Sequence, residues 1–204
     1  MKNRTFIGLL VLGFLLLVLV YLIKILAFWS TKNYSLLIMI RKANLDDLKR
    51  IIEITQACAN LMISKKIFQW NEFYPRIQTF EEDVNNQTLY VIENNSKVIG
   101  CLVISDYMDE FYKKAKWLTA SDKNIYLHRL AVHPDYQGKG FAKKLMNYAF
   151  DFALENKFKS IRLDTFSGNP QNNVFYQKLD FKKLDKIYFR DQSDKPFYCY
   201  EKVL

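Results

Sequence analysis

The apolar positions divide the chain into two parts. A run without any charged residue covers residues 6–23, and after Lys24 it continues apolar to residue 29. The run is apolar on every side rather than along one stripe, and a helix of about 20 such residues can cross the hydrocarbon core of a bilayer. The pattern therefore predicts an N-terminal apolar helix over about residues 6–29 that spans a membrane.

Residues 1–38 allow two other interpretations. A signal peptide fits less well, because the run is long and no small-residue cleavage pattern follows it. Met39 precedes what reads as the opening strand of a soluble domain, so residues 1–38 could instead be an over-extended reading frame. The basic residues around the run slightly favour a cytoplasmic C-terminal domain. We expect a membrane protein whose catalytic domain, residues 39–204, faces the cytoplasm, or a cytoplasmic protein if residues 1–38 are not translated.

Beyond residue 38, apolar residues alternate in short runs or recur at helical spacing. Asn44 is a candidate cap of the first helix, and Thr79 to Glu82 resembles a capping box that opens the second. Strands are predicted over residues 36–41, 88–93, 97–105, 125–132, 160–165, 183–190 and 197–202. Long helices are predicted over 44–64 and 138–157, and a short helix over 170–179. This βααβββαβαββ order predicts an α/β fold in which strands 125–132 and 160–165 are parallel.

Composition and charge narrow the function classes. The chain has 30 basic and 21 acidic residues, a net charge of +9, and three cysteines. Four basic residues and no acidic one lie in residues 1–38, which leaves 26 basic against 21 acidic residues in the domain. The cysteines are too few and too scattered for a zinc site or a disulfide scaffold. No nucleic-acid-binding motif accompanies the charge, so we expect neither a nucleic-acid partner nor a metal.

A glycine loop carries the clearest chemistry. Residues 137–142, Gln-Gly-Lys-Gly-Phe-Ala, lie between a predicted strand and a predicted helix. Glycines at such a turn let backbone N–H groups approach a ligand, and the helix N-terminus favours an anion such as a pyrophosphate. The spacing fits neither the nucleotide-triphosphate P-loop nor the dinucleotide fingerprint, which needs a third glycine where Lys143 stands.

Two motifs together resemble the GNAT family of acetyl-coenzyme A-dependent N-acetyltransferases. Gln137, Gly140 and Ala142 match that family's loop signature. Asn169 is followed seven positions later by Tyr176 in the segment Phe-Tyr-Gln-Lys-Leu-Asp-Phe, where Asp180 replaces the usual glycine. The resemblance covers about residues 39–204 and implies a GNAT-like mixed central sheet with flanking helices.

The resemblance also implies the site residues. Backbone groups of Leu130, Ala131 and Val132 would hold the pantetheine arm and polarise the thioester, Asn169 would bind the same arm, and Tyr176 would be the general acid. The pyrophosphate would lie on the amides of Gln137, Gly138, Lys139, Gly140, Phe141 and Ala142. Acetyl-CoA would be the acetyl donor, with no metal.

The general base and the acceptor pocket are less constrained. His128, on a central strand, is the first candidate base, with a packed structural histidine as the alternative; Asp164 is the second candidate. His133 is expected at the surface. Trp70, Asn71 and Tyr74 are the candidate acceptor residues, or else they close the edge of the core. The connection over residues 106–124 either reaches the acceptor or is a solvated loop.

We expect an N-acetyltransferase that moves an acetyl group from acetyl-CoA to a primary amine of a small molecule or a protein, by direct attack on the thioester. The alternative is a non-catalytic acyl-CoA-binding module tethered to a membrane through residues 6–29. A homodimer through the terminal strands is left open.

Overall fold

The computed structural model describes residues 16–26, 38–71, 74–190 and 192–204. The chain divides into two units, Met1–Met39 and Ile40–Leu204. In the first unit, residues 16–26 are helical and their large apolar side chains are exposed, Leu17 and Tyr21 by about two thirds. The rest of the predicted span, residues 6–15 and 27–29, lies outside the described residues. Over the part of the chain that the structure describes, no helix is both long and apolar enough to cross a membrane. The spanning helix therefore stays a prediction.

The second unit is built on a seven-stranded mixed sheet. Its strands are β1 (Ile38–Lys42), β2 (Leu89–Asn94), β3 (Lys97–Ser105), β4 (Asn124–Val132), β5 (Ser160–Phe166), β6 (Lys182–Ile187) and β7 (Phe197–Val203). Their order across the sheet is β1-β2-β3-β4-β5-β7-β6. Only β4 and β5 run parallel among the strand pairs with a described register. The predicted α/β class and the parallel crossover are confirmed. β1 and β6 form the sheet edges, and the homodimer stays a prediction.

Four helices pack on this sheet. They are α1 (Leu48–Ser64), α2 (Ile77–Asn85), α3 (Phe141–Glu155) and α4 (Pro170–Gln177). Asn44 caps the 3-10 turn Leu45–Asp47 that leads into α1, and its side chain accepts hydrogen bonds from the amides of Asp46 and Asp47. The second capping prediction is wrong. Helix α2 begins at Ile77 with Arg76 at its N-cap, so Thr79 lies inside the helix rather than before it.

Strand β4 contains a bulge where it pairs with β3, and its pairing with β5 ends close by. Cys101 of β3 pairs with Ala131 and Val103 pairs with His128, so Arg129 and Leu130 together face one residue of β3. Arg129 has a φ of +54°, and this bulged geometry interrupts the alternation of side chains along the strand. On the other side, the pairing of β4 with β5 ends at Leu127 and Leu163. The two parallel strands therefore diverge beyond this point and leave a gap in the sheet.

Within the described residues, the core includes two apolar clusters. One lies between α1, α2 and the first strands and includes the fully buried Ile51, Ile54 and Phe80. The other is rich in aromatic residues and includes Tyr112, Tyr126 and Phe197. Tyr112 belongs to the 3-10 turn Glu110–Lys114 within the connection between β3 and β4. Tyr112 is thus part of the core while the other residues of the turn are exposed, so the interpretation of residues 106–124 as a solvated loop does not hold for Tyr112.

Candidate active site

The turn between β4 and α3 forms an open cradle of backbone groups. Gly138 and Gly140 have φ angles of +74° and +83°, in the left-handed region that favours glycine, and Gly140 is the N-cap of α3. A Cβ atom placed on either glycine would meet no heavy atom within 4 Å. The glycines are therefore needed for the backbone path, and the space beside them is open to a ligand. Free N–H groups at a helix N-terminus suit a phosphate group.

A cavity of about 360 Å³ begins at this cradle and extends along β4. Most residues predicted for the coenzyme line it: Leu130, Ala131, Val132, Gln137, Gly138, Gly140, Phe141, Ala142 and Asn169. The predicted general acid, Tyr176, lines it as well. Its other wall comes from α1 and the segment after it, including Met62, Ile67 and Trp70. The cavity is long and partly apolar, and one end is cationic and rich in amides. Such a cavity fits an extended molecule that carries a pyrophosphate, and acetyl-CoA is a molecule of this kind.

Lys139 is the exception among the predicted coenzyme residues. Its side chain does not line the cavity; Nζ donates to the carbonyl oxygen of Asp135 at 2.8 Å and lies 5.5 Å from the centre of the Tyr136 ring. Lys143 and Lys65 line the cavity instead. The positive charge at the cradle therefore comes from residues on α3 and at the end of α1.

The side chains of Gln137 and Asn169 are held by the protein itself. Gln137 Nε2 donates to the carbonyl oxygen of Val132 at 2.9 Å, which ties the glycine turn to the end of β4. Asn169 Oδ1 accepts from the Asn172 amide and so caps α4, while its Nδ2 donates to Gln69 Oε1 at 3.1 Å. Both residues therefore shape the cavity wall, and a role for Asn169 in binding the pantetheine arm stays a prediction.

A second cavity of about 110 Å³ adjoins the first at the gap between β4 and β5. Five residues line both cavities: Gln69, Trp70, Leu130, Asn172 and Tyr176. Tyr74 and His128 line the smaller cavity only. Asn71 lines neither; its backbone pairs with that of Tyr74 through two hydrogen bonds of 3.3 Å. The structure therefore brings Trp70, Tyr74, His128 and Tyr176 together and leaves Asn71 out.

Tyr176 is one of the five residues that line both cavities. It is buried, with 7% of its surface exposed, and its ring packs 5.9 Å from Phe181 and 6.0 Å from Tyr200. Burial, together with the nearby Asp164 carboxylate, raises the pKa of its phenol above the usual value. The hydroxyl therefore keeps its proton at neutral pH and is available as a donor.

His128 is uncharged in this environment. Its ring stacks on Tyr112 with the centres 5.9 Å apart. Burial and, to a smaller extent, the Arg129 guanidinium lower the pKa of the imidazole to about 3. A neutral imidazole with so low a pKa accepts a proton weakly. His128 lies at the predicted place, but its environment does not favour it as the base.

The carboxylate of Asp164 lies in the same cavity as Tyr176 and His128. Asp164 of β5 lines the smaller cavity and accepts a hydrogen bond from the Tyr112 hydroxyl. Burial raises the pKa of Asp164 to about 6, although the Tyr112 hydrogen bond opposes the rise. Asp164 remains largely ionised at neutral pH and is a stronger proton acceptor than His128.

Arg129 contributes the cation at this cavity, and it is already paired. Nε and Nη2 donate to the two carboxylate oxygens of Asp83 at 2.9 and 2.6 Å. The guanidinium also hydrogen-bonds the Tyr74 side chain. Sequence reasoning missed this arrangement because it depends on the left-handed backbone of Arg129, which has no signature in the residue pattern. It also missed Tyr112, since a tyrosine in a short 3-10 turn follows no apolar periodicity.

Residues 49–181 match the acetyltransferase (GNAT) family. The chain belongs to the GNAT acetyltransferase family. N-acetyltransferase 8B of Homo sapiens is 28% identical over 100 residues, which cover 49% of this chain and 40% of that protein. An uncharacterized N-acetyltransferase of Oceanobacillus iheyensis is 27% identical over 157 residues, 71% of this chain and 89% of the relative.

Solved structures share the fold. YncA of Salmonella typhimurium, solved with acetyl-CoA, is 18% identical with a TM-score of 0.61, and the match covers 82% of this chain and 94% of that one. This GNAT acetyltransferase thus has the predicted fold, and the prediction of an acyltransferase with acetyl-CoA as co-substrate is confirmed at the level of the family. Within the described residues, no cluster of His, Cys, Asp and Glu could hold a metal ion.

Proposed function

We propose that this GNAT acetyltransferase transfers the acetyl group of acetyl-CoA to a primary amine, which attacks the thioester directly. The observation that carries the proposal is the junction of the two cavities at Tyr176 and Leu130. The larger cavity fits the coenzyme and the smaller one leaves room for an acceptor. Their common wall holds a protonated phenol, so a proton donor stands where the two substrates would meet.

The residues have distinct roles in this proposal. The amides of residues 137–142 bind the pyrophosphate, and the backbone of Leu130 to Val132 holds the pantetheine arm and polarises the thioester carbonyl. Tyr176 protonates the departing thiolate. A well-placed backbone donor at a developing oxyanion typically contributes about 3 kcal/mol to catalysis. The acceptor is an amine whose solution pKa of about 10 leaves it protonated at neutral pH, so a base must act first.

A thiol-release assay tests the proposal. The full chain is incubated with acetyl-CoA and a panel of primary amines, and free coenzyme A thiol is measured over time. We expect release that depends on at least one amine and yields its N-acetyl product. Tight binding of acetyl-CoA without release for any amine would instead favour the non-catalytic acyl-CoA-binding module.

We also propose that the apolar run over residues 6–29 associates the protein with a membrane, with the domain on the cytoplasmic side. The exposure of the apolar side chains in residues 16–26 supports this, because such a surface is stabilised by burial in lipid. In cells that express the full reading frame, we expect the protein in the membrane fraction and resistant to a salt wash. Recovery of a soluble product that begins at Met39 would contradict the proposal.

A further inference from the structure

The smaller cavity contains a tyrosine–carboxylate pair that the roles above do not use. Tyr112 is fully buried and donates its hydroxyl hydrogen to Asp164 Oδ1. Asp164 directly follows Leu163, where the pairing of β5 with β4 ends, and it keeps part of its surface accessible. The pair therefore stands in the gap between the diverging strands, in the same cavity wall as Tyr176.

The tyrosine is fixed as a hydrogen-bond donor. Trp117 Nε1 donates to the Tyr112 carbonyl oxygen at 3.0 Å, and the Tyr112 ring lies between 5.5 and 5.9 Å from the rings of Trp117, Tyr126 and His128. Burial, reinforced by the Asp164 charge, raises the pKa of Tyr112 well above its usual value. The phenol thus stays protonated, and the Asp164 carboxylate is held in one orientation.

The charges around Asp164 favour a cation. The titratable groups that face it or share its cavity are Tyr112, Asp109, Tyr176, Cys199, His128, Tyr74 and Arg129. The phenols, the thiol and the imidazole are neutral at pH 7, and the Arg129 charge is already offset by Asp83. The charged groups of this cavity that Arg129 does not offset are two carboxylates, Asp109 and Asp164. Among the described residues of this cavity, no unpaired cation is left to receive the carboxylate of a substrate.

We propose that Asp164 binds the ammonium group of the acceptor and accepts the proton that the amine must lose, with Tyr112 as a positioning residue. We further infer that the acceptor is a compact amine without a carboxylate next to its amino group. The aromatic walls formed by Trp70, Tyr74 and Phe189 suit an apolar substituent on that amine. This inference rests on the proposed function and names its acceptor site.

The reaction of an ammonium ion with a thioester releases one proton for each amide formed. Asp164 takes one proton from the ammonium group and later releases it to solvent. The neutral amine forms the C–N bond with the thioester carbon and its nitrogen becomes cationic. The C–S bond then breaks, Tyr176 gives its proton to the thiolate, and the second proton of the nitrogen restores the Tyr176 hydroxyl. The products are an amide, a thiol and one proton.

Binding of phenethylamine to the full chain saturated with coenzyme A tests the site without turnover. We expect Asp164→Asn to weaken this binding by about 10- to 100-fold, because a charge-assisted hydrogen bond is lost. Phenylalanine, which adds only a carboxylate to the same amine, should bind at least about tenfold more weakly than phenethylamine to the wild-type protein. Asp151→Asn, which changes an exposed carboxylate on α3, is the matched control and should behave as the wild type. Unchanged coenzyme binding verifies that each variant is folded.

The pH profile of kcat/KM tests the positioning role. The acid limb should have its midpoint near pH 6 in the wild type, far from the ionisation of the amine itself. Tyr112→Phe removes a hydrogen bond that lowers the pKa of Asp164, so the midpoint should move to higher pH. Tyr126→Phe, whose hydroxyl contacts Arg162 instead, should leave it in place. A merely structural role for Tyr112 would reduce activity without moving the midpoint.

The outcomes separate the two proposals. Any of three results overturns the inference: Asp164→Asn keeps wild-type amine affinity and turnover, phenylalanine binds as well as phenethylamine, or phenethylamine does not bind at all. None of these results excludes acetyl transfer to another amine. If phenethylamine binds in an Asp164-dependent way but no amine releases thiol, the acceptor site stands and the proposed acetyl transfer fails.

Discussion

At Tyr176, a single hydroxyl distinguishes a proton donor from an aromatic ring that only packs. Tyr176→Phe keeps the ring against Phe181 and Tyr200 and removes the hydroxyl at the junction of the cavities. We expect kcat to fall by about 100-fold, because general acid catalysis typically contributes this much, while the Kd for acetyl-CoA stays the same. Thiol release and calorimetry measure the two quantities.

Tyr198→Phe provides the matched control for that variant. Tyr198 lies on β7, lines neither cavity among its described contacts, and has Lys183 Nζ 3.3 Å from the centre of its ring. It should keep wild-type kcat. A Tyr176→Phe variant with unchanged turnover of a validated amine would remove the acid role.

His128 gives a second prediction, on the dependence of activity on pH. The pKa of its imidazole is lowered to about 3, so the side chain does not change charge between pH 5 and pH 8. We expect His128→Gln to leave the acid limb of kcat/KM near pH 6, because that limb belongs to Asp164. Loss of the limb in this variant, with Asp164→Asn still showing it, would return the role of the base to His128.

At the level of the elements, the sequence predicted most strands and helices within two or three residues. Helices α1 and α3 bury one face, and the strands β2, β3 and β5 are nearly continuous buried runs. The sequence could not predict the bulge in β4, which is set by the pairing of Arg129 and Leu130 with one residue of β3. Nor could it place Tyr112, whose position depends on tertiary contacts with Trp117 and His128. The glycine turn was predictable because its glycines are required locally, whereas the smaller cavity is assembled from distant segments.

Gly100 of β3 packs closely against Ala131 of β4, a residue that lines the larger cavity. A Cβ atom at this position would lie 2.6 Å from the carbonyl oxygen of Ala131, one residue beyond the bulge. Gly100→Ala must therefore displace β4, and we expect a loss of roughly 1–3 kcal/mol in the free energy of unfolding together with weaker acetyl-CoA binding. Urea unfolding and calorimetry test this.

Gly138→Ala is the informative comparison, because a Cβ atom there meets nothing within 4 Å. Its cost should be limited to the left-handed backbone, about 1–2 kcal/mol, with β4 undisturbed. The effect on β4 can be followed through the amide NMR signals of Ala131 and Val132, which should shift in Gly100→Ala and not in Gly138→Ala. Wild-type stability of Gly100→Ala would contradict the proposed close approach.

At the scale of the whole domain, a buried ion pair on β5 and β7 fixes the position of the connection between β3 and β4. Arg162 of β5 and Glu201 of β7 are both fully buried and meet at 3.0 Å. Arg162 also donates to the Thr119 carbonyl oxygen and to the Ser121 hydroxyl, so it fixes the segment that follows Tyr112 and Trp117. The centre of its guanidinium lies 4.6 Å from the centre of the Trp117 ring. The pair therefore stabilises the wall of the smaller cavity without lining it.

Removing one member of the pair should be far more damaging than removing both. Arg162→Met leaves the Glu201 carboxylate buried without its cation, and we expect a loss of about 3–5 kcal/mol in the free energy of unfolding at pH 7. Arg162→Met combined with Glu201→Leu buries no charge and should recover most of that loss. Urea unfolding of the three proteins gives the comparison, and a single variant that loses less than about 1 kcal/mol would contradict the coupling.

The same pair predicts a dependence of stability on pH. Burial alone would raise the pKa of Glu201, but hydrogen bonds from Ser160, Thr119, the Leu118 amide and Arg162 outweigh it and hold the pKa below its usual value. A carboxylate with a lowered folded pKa contributes stability above its unfolded pKa of about 4.3, and this contribution is lost as the pH falls. The wild-type protein should therefore lose stability below about pH 4 more steeply than the double variant, which has no carboxylate at this position. Parallel pH dependences of the two proteins would show that Glu201 does not supply this stability. The connection between β3 and β4 would then be held by the Arg162 contacts with Thr119 and Ser121 alone.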